Sequence, residues 1–264
     1  MVLDKIKDML ATCSEPNNVF PPTTLYNEGW MLRLVLDWFA NNSSSTGNHQ
    51  LRIPNGGHWY SEALLQTQFK PVKEYRTPKD ELAESHTHAD GVIGQFVIGG
   101  NGKGDLVVDN NTKHIVILEA KMYSPLSAGI KNVEDYNQAA RIVACMANAM
   151  SIAKRKPSCF DCIGFYLLLP ERNAVKHNFI EQMDPTNIIS AIKKRKEQYK
   201  GRTDYSDKCD WFNEYLVPMV KIMKSQKTMQ MITWEDIIEY IRGCHDDLAA
   251  DEIDQFYEEC KKYN

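Results

Sequence analysis

A chain of 264 residues, 43% hydrophobic and 25% charged, has enough apolar side chain for one large core, which excludes chain-wide disorder. Its 31 Lys and Arg nearly balance 35 Asp and Glu, so the net charge of −4 and the pI of about 6.0 exclude the global basic excess of many nucleic-acid-binding domains. The charged start (Met1 to Asp8) is followed by no apolar stretch of signal-peptide length, and nothing approaches the roughly 20 apolar residues of a membrane helix, so a cytoplasmic protein is expected.

In chain order, Pro21-Pro22 and the caps Thr23-Thr24 lead into residues 25–40, whose apolar side chains recur at helical spacing and predict a buried helix. A polar loop, 41–48, follows. Residues 60–69 read as a second, short helix. Then the texture turns to β: 91–98, 105–109 and 114–121 are expected to form three consecutive antiparallel strands, separated by 99–104 and by Asn110-Asn111-Thr112. An Ala-rich helix is expected over 131–154, and the apolar run before Pro170 predicts a buried strand. The last third reads as helical, at 186–200, at 207–224 and from Trp234, where Thr233 and Asp236 resemble a capping box.

The expected architecture is therefore α/β, a mixed central sheet flanked by helices over 1–171, with a helical extension over 172–264 packed on it. Seven scattered cysteines suit free thiols in a reducing compartment. Cys159 and Cys162 form the only close pair, and with no second pair at ligand spacing structural zinc is not expected.

Charge at the ends of the apolar strands needs a reason. Glu119 and Lys121, two residues apart in an extended strand, leave the same face of the sheet and must be paired, metal-bound or both. If 110–112 is a three-residue hairpin loop pairing Asp109 with Lys113, Asp105 lies opposite Ile117, at a diagonal of about 7–8 Å from Glu119 on the same face. Two such carboxylates with open positions would suit Mg2+ or Mn2+ and phosphodiester hydrolysis, with Asp105 and Glu119 on the metal and Lys121 at the water. The plainer alternative is a Glu119–Lys121 salt bridge with Asp105 as a turn residue.

Gly104-Asp105, a hairpin, an apolar run ending in Glu119-Ala120-Lys121 and a helix bearing Gln138 together resemble the PD-(D/E)XK, or restriction-endonuclease-like, nuclease superfamily over roughly 60–170. Gly104 stands where that pattern has proline. The resemblance implies a divalent-metal-dependent nuclease acting on nucleic acid, DNA above all, with metal ligands Asp105 and Glu119, Lys121 assisting the water and Gln138 supporting the site. It also implies a further acid from a preceding helix, for which Glu62 and Glu28 are the candidates, Glu62 preferred because its helix is the last before the strands. The downstream pattern further resembles a bacterial branch of the superfamily, implying a bacterial cytosol and genome defence or DNA processing.

Arg141, one turn beyond Gln138, is a candidate phosphate clamp, and the basic stretch Lys193, Lys194, Arg195 and Lys196 a candidate phosphate-contacting helix face, against the reading of a merely solvated one. His86 and His88 are expected to hydrogen-bond structurally, since imidazoles do not suit an oxygen-ligand site. The alternative function is a catalytically inactive nuclease fold that binds nucleic acid or assembles proteins. Dimerisation or protein docking would fall to the C-terminal helices.

Overall fold

The computed structural model describes residues 2–15, 19–75, 80–100, 102–129 and 133–264. Its first helix, α1 (Val2–Ala11), buries none of its residues. The helix α2 (Glu28–Asn41) starts where the Asn27 side chain accepts the Trp30 N–H at 3.0 Å, and it buries Met31, Leu32, Val35, Leu36 and Phe39 along one stripe.

The strands β1 (His58–Leu65) and β2 (Thr87–Gly94) pair antiparallel, with Ser61 opposite Gly91 and Ala63 opposite Ala89. The short strands β3 (Val97–Ile98) and β4 (Leu106–Val107) pair only with each other. Then β5 (His114–Ala120) returns to the main sheet antiparallel to β2. The helix α3 (Gln138–Ile152) crosses over, and β6 (Cys162–Leu169) lies parallel to β5. Next come α4 (Phe179–Gln182), α5 (Pro185–Glu197), α6 (Tyr205–Trp211), a π-helical turn over Phe212–Leu216 and α7 (Val217–Gln226). The strand β7 (Met229–Thr233) adds parallel to β6, followed by α8 (Trp234–Gly243) and α9 (Asp247–Tyr263).

The sheet order is β1-β2-β5-β6-β7, and each face has its own apolar layer. Alternation along β5 sends Ile115 and Ile117 into the layer of α3, α5 and α7, and Val116, Leu118 and Ala120 into that of α2, α8 and α9. Trp38 of α2 donates to Asp246, just before α9, at 2.8 Å, so the chain's two ends meet over one face. Among the described residues no helix is long and apolar enough to cross a membrane.

The mixed α/β sheet flanked by helices is as the sequence predicts, but three local expectations are corrected. Residues 60–69 are not a helix. Most of that stretch is β1, because pairing of seven residues with β2 outweighs the weak helical spacing of Ala63, Leu64 and Leu65. The C-terminal part is not purely a helical extension, since β7 forms one edge of the main sheet.

Finally, the 105–121 hairpin does not form. The Asp109 carboxylate accepts from the N–H groups of Asn111 and Thr112 at 2.8 and 3.0 Å, and Arg155 donates to the carbonyls of Asp109 and Thr112, which ties that turn down. The Gln95 side chain accepts from the N–H groups of Lys113 and His114 at 3.1 and 2.9 Å, steering β5 onto β2. Gly94 permits the close approach: a Cβ there would sit 2.0 Å from the His114 carbonyl oxygen. Of the predicted 131–154 helix, 131 and 132 lie outside the described residues, and its first helical residue is Gln138.

Candidate active site

The ladder between β2 and β5 ends at Gly91 opposite Leu118. One step further along the same register, Asp90 comes opposite Glu119, and Glu62 on β1 comes opposite Asp90. Three carboxylates thus lie in one row across three neighbouring strands. The Ala120 N–H, beyond the last paired residues, is taken by the Asp90 carboxylate at 2.8 Å, which fixes that side chain beside Glu119.

Glu119 is fully buried, and one of its oxygens, Oε1, accepts from both Lys121 Nζ and Gln138 Nε2. Gln138 is itself held, because its Oε1 accepts the Ser127 N–H at 3.2 Å and its own N–H donates to the Ser127 carbonyl at 3.1 Å. Asn137 places it there by capping α3 through the Ala140 N–H. The other Glu119 oxygen, Oε2, is buried without a hydrogen-bond donor among the described residues.

Burial, and secondarily the neighbouring Asp90 charge, pushes the Glu119 carboxyl up to about 8 against the opposing pull of Lys121. Burial likewise raises Asp90, offset by the Ala120 N–H and by Lys121. Two acids this close, both resisting ionisation, with one oxygen lacking a donor, need a shared proton or a cation between them.

A divalent ion fits this donor set. Mg2+ is commonly held by one or two carboxylates and otherwise keeps its waters. Asp90 and Glu119 supply two. Among the described residues no group of three or more His, Cys, Asp or Glu could by itself hold a metal ion. The third acid of the row, Glu62, is half-exposed and turned toward Arg33, 3.4 Å away, with its backbone at a φ of 58°.

The structure distributes the sequence-predicted residues unequally. Glu119, Lys121 and Gln138 converge. Asp105 does not join them: it lies beside Leu64 and accepts from Gln66 Nε2 at 3.1 Å. Glu62 stands in the carboxylate row, on a strand rather than a helix, whereas Glu28 lies near Cys260, whose thiol is raised first by burial and then by the Glu28 charge. His88 Nδ1 lies 3.4 Å from the Glu62 carbonyl.

Arg141 donates to the Ser85 carbonyl at 2.9 Å and lies 3.8 Å from Glu84. The basic stretch is split: Lys193 and Lys194 are exposed, while Arg195, 1% exposed, is paired with Glu84, and Lys196, 7% exposed, with Glu197. Arg195 and Lys196 are therefore not surface phosphate contacts. Lys194 already pairs with Asp135.

Asp90 is the residue that sequence reasoning missed. It ends the cluster His86-Thr87-His88-Ala89-Asp90, and its signal was an acid opening an apolar strand.

Beside Gln138 lies an open cleft of about 770 Å³. Its charged lining is Glu134, Asp135 and Glu181 against Lys194, so it is an acidic surface. Comparison with protein-family models, with curated proteins and with solved structures finds no match.

The Glu119 shift has a measurable consequence. Unfolded, this carboxyl titrates near 4.5; folded, near 8, so over that window the folded chain holds a proton that the unfolded chain has released. For this group, metal-free stability is greatest below the unfolded value and falls as pH rises toward 8, by up to about 1.4 kcal/mol per pH unit. Urea denaturation from pH 5 to 8 should show that decline in EDTA. Glu119→Gln should flatten it, and Mn2+ should restore stability at the alkaline end.

Proposed function

We propose that this chain is a metal-dependent phosphodiester hydrolase, and more particularly a nuclease whose substrate is DNA. The observation that carries the reading is the pairing of half-buried Asp90 with fully buried Glu119, with Glu119 Oε2 lacking a donor among the described residues and Lys121 at its other oxygen. The resemblance of Glu119-Ala120-Lys121 and Gln138 to the PD-(D/E)XK superfamily supports it, with Asp90 taking the role first expected of Asp105.

A divalent ion held by Asp90 and Glu119 would polarise a phosphate and lower the pKa of a bound water. The chain's own residues do the rest. Gln138, locked by Ser127, fixes the Glu119 rotamer, and the Ala120 N–H fixes that of Asp90. Lys121 is positioned to orient a water and to meet charge developing on the phosphate.

Incubating the purified protein with plasmid, linear duplex, single-stranded DNA and RNA in Mg2+, Mn2+, Ca2+ or EDTA tests this. Cleavage is expected with Mg2+ or Mn2+ and none in EDTA. No cleavage of any substrate with either metal, together with no Mn2+ binding by calorimetry, would leave only the Glu119–Lys121 salt bridge.

A further inference from the structure

The first two turns of α2 carry Gly29, Trp30 and Arg33. Trp30 is 41% exposed, while Trp38, Trp211 and Trp234 are buried. A single exposed aromatic is ordinary on a protein surface. What stands against it here is not ordinary. The Arg33 guanidinium lies 5.1 Å from the Trp30 ring centroid, donates from Nε to Ser61 Oγ at 3.1 Å and reaches Glu62 from Nη2 at 3.4 Å.

Gly29 leaves room for this. A Cβ there would lie 3.2 Å from Arg33 Nη1, whose own donors have no hydrogen-bond partner among the described residues. One planar cation is thus held between an exposed indole and Glu62, the outermost acid of the row, with donors to spare. The N-terminus of a 14-residue helix adds positive potential at the same place. The cleft on the Gln138 side is acidic and repels a phosphate backbone, whereas on the α2 side Arg33 and the helix N-terminus are set against the acids Glu62 and Glu28.

We infer that Trp30 and Arg33 form a binding platform for single-stranded nucleic acid beside the carboxylates, Trp30 stacking on a base and Arg33 holding an adjacent phosphate. This rests on the nuclease reading and narrows its substrate class. A base shows its face to an indole only when unpaired from the stack, so single strands and frayed ends bind and blunt duplex does not. With Nε on Ser61 and Nη2 on Glu62, Arg33 can offer a phosphate oxygen its Nη1 donors without breaking either contact.

The test measures binding without cleavage, by anisotropy of a labelled oligodeoxythymidylate in EDTA and by quenching of tryptophan emission. Trp30→Ala should weaken single-strand binding on the order of tenfold or more, and Trp30→Phe should keep most of it. Arg33→Lys should weaken binding to a lesser degree, and blunt duplex should bind poorly to every form. Leu34→Ala, on the same exposed helix face, should change nothing.

Wild-type affinity unaffected by Trp30→Ala, or no binding by the wild type, overturns the proposal. So does an equal loss with Leu34→Ala, which would mark an apolar protein-docking strip instead. The two readings fail separately: Trp30-dependent binding without cleavage in any metal defeats the nuclease alone, and metal-dependent cleavage indifferent to Trp30→Ala defeats the platform alone.

Discussion

Asp90→Asn is expected to abolish metal-dependent cleavage, a loss on the order of a thousandfold, while Asp105→Asn leaves activity within about twofold. Asp105 is buried and Asp90 half-buried, and their surroundings differ. Asp90 accepts the Ala120 N–H and stands against Glu119, whereas Asp105 is bonded by the Gln66 amide at the end of β1. An asparagine at 90 can still accept that N–H, so the fold survives while one anionic oxygen is lost. It also removes the like charge that raises Glu119, so the metal-free variant should be no less stable than the wild type at pH 8. Activity assays combined with Mn2+ calorimetry check this. The reverse pattern, with Asp105→Asn inactive and Asp90→Asn active, would move the metal to the β1–β4 side and restore the hairpin geometry expected from sequence.

The largest stability loss should come from Arg195→Ala, about 3–5 kcal/mol, against less than about 0.5 kcal/mol for its neighbour Lys193→Ala. Arg195 donates to Glu84 at 2.8 Å, to Gln198 at 2.6 Å, to the Leu82 carbonyl and to the Tyr199 hydroxyl, and it lies over the Phe69 ring. Glu84 also accepts from Thr67 at 3.2 Å and Tyr136 at 3.4 Å. Removing the guanidinium strands that carboxylate in the core, where an unpaired charge is far costlier than a surface pair. Equilibrium urea denaturation reads the difference. Adding Glu84→Gln to Arg195→Ala should recover part of the loss, because the stranded charge goes with it. Comparable small losses in both single variants would mean that Arg195 is solvated after all.

These two outcomes bear on what the sequence made legible. Glu119, Lys121 and Gln138 were found because their signal is local: a charged pair at period two after an apolar run, then a helix carrying an amide. Asp90 was missed because choosing between two aspartates requires knowing which strand lies against β5. That is decided by Gln95, Gly94 and the Arg155-held turn, contacts with no trace in periodicity. β1 was read as a helix for a related reason, since Ala63, Leu64 and Leu65 become a strand only in the company of β2. The run Lys193 to Lys196 looked like one solvated face because charge pattern cannot reveal a buried acid 111 residues away, as Glu84 is from Arg195.

The bond between Trp38 and Asp246 joins positions 208 apart, and β7 reaches the sheet only after the helices α4 to α7 have intervened. The layer beneath the carboxylate row therefore cannot close while the chain is still being synthesised up to α8. Until then the apolar stripe of α2 and the outer edge of β6 stay exposed. Contacts of such long sequence separation delay folding, since loop entropy must be overcome before any of them contributes. The half-made chain is accordingly the species most exposed to aggregation and to chaperones.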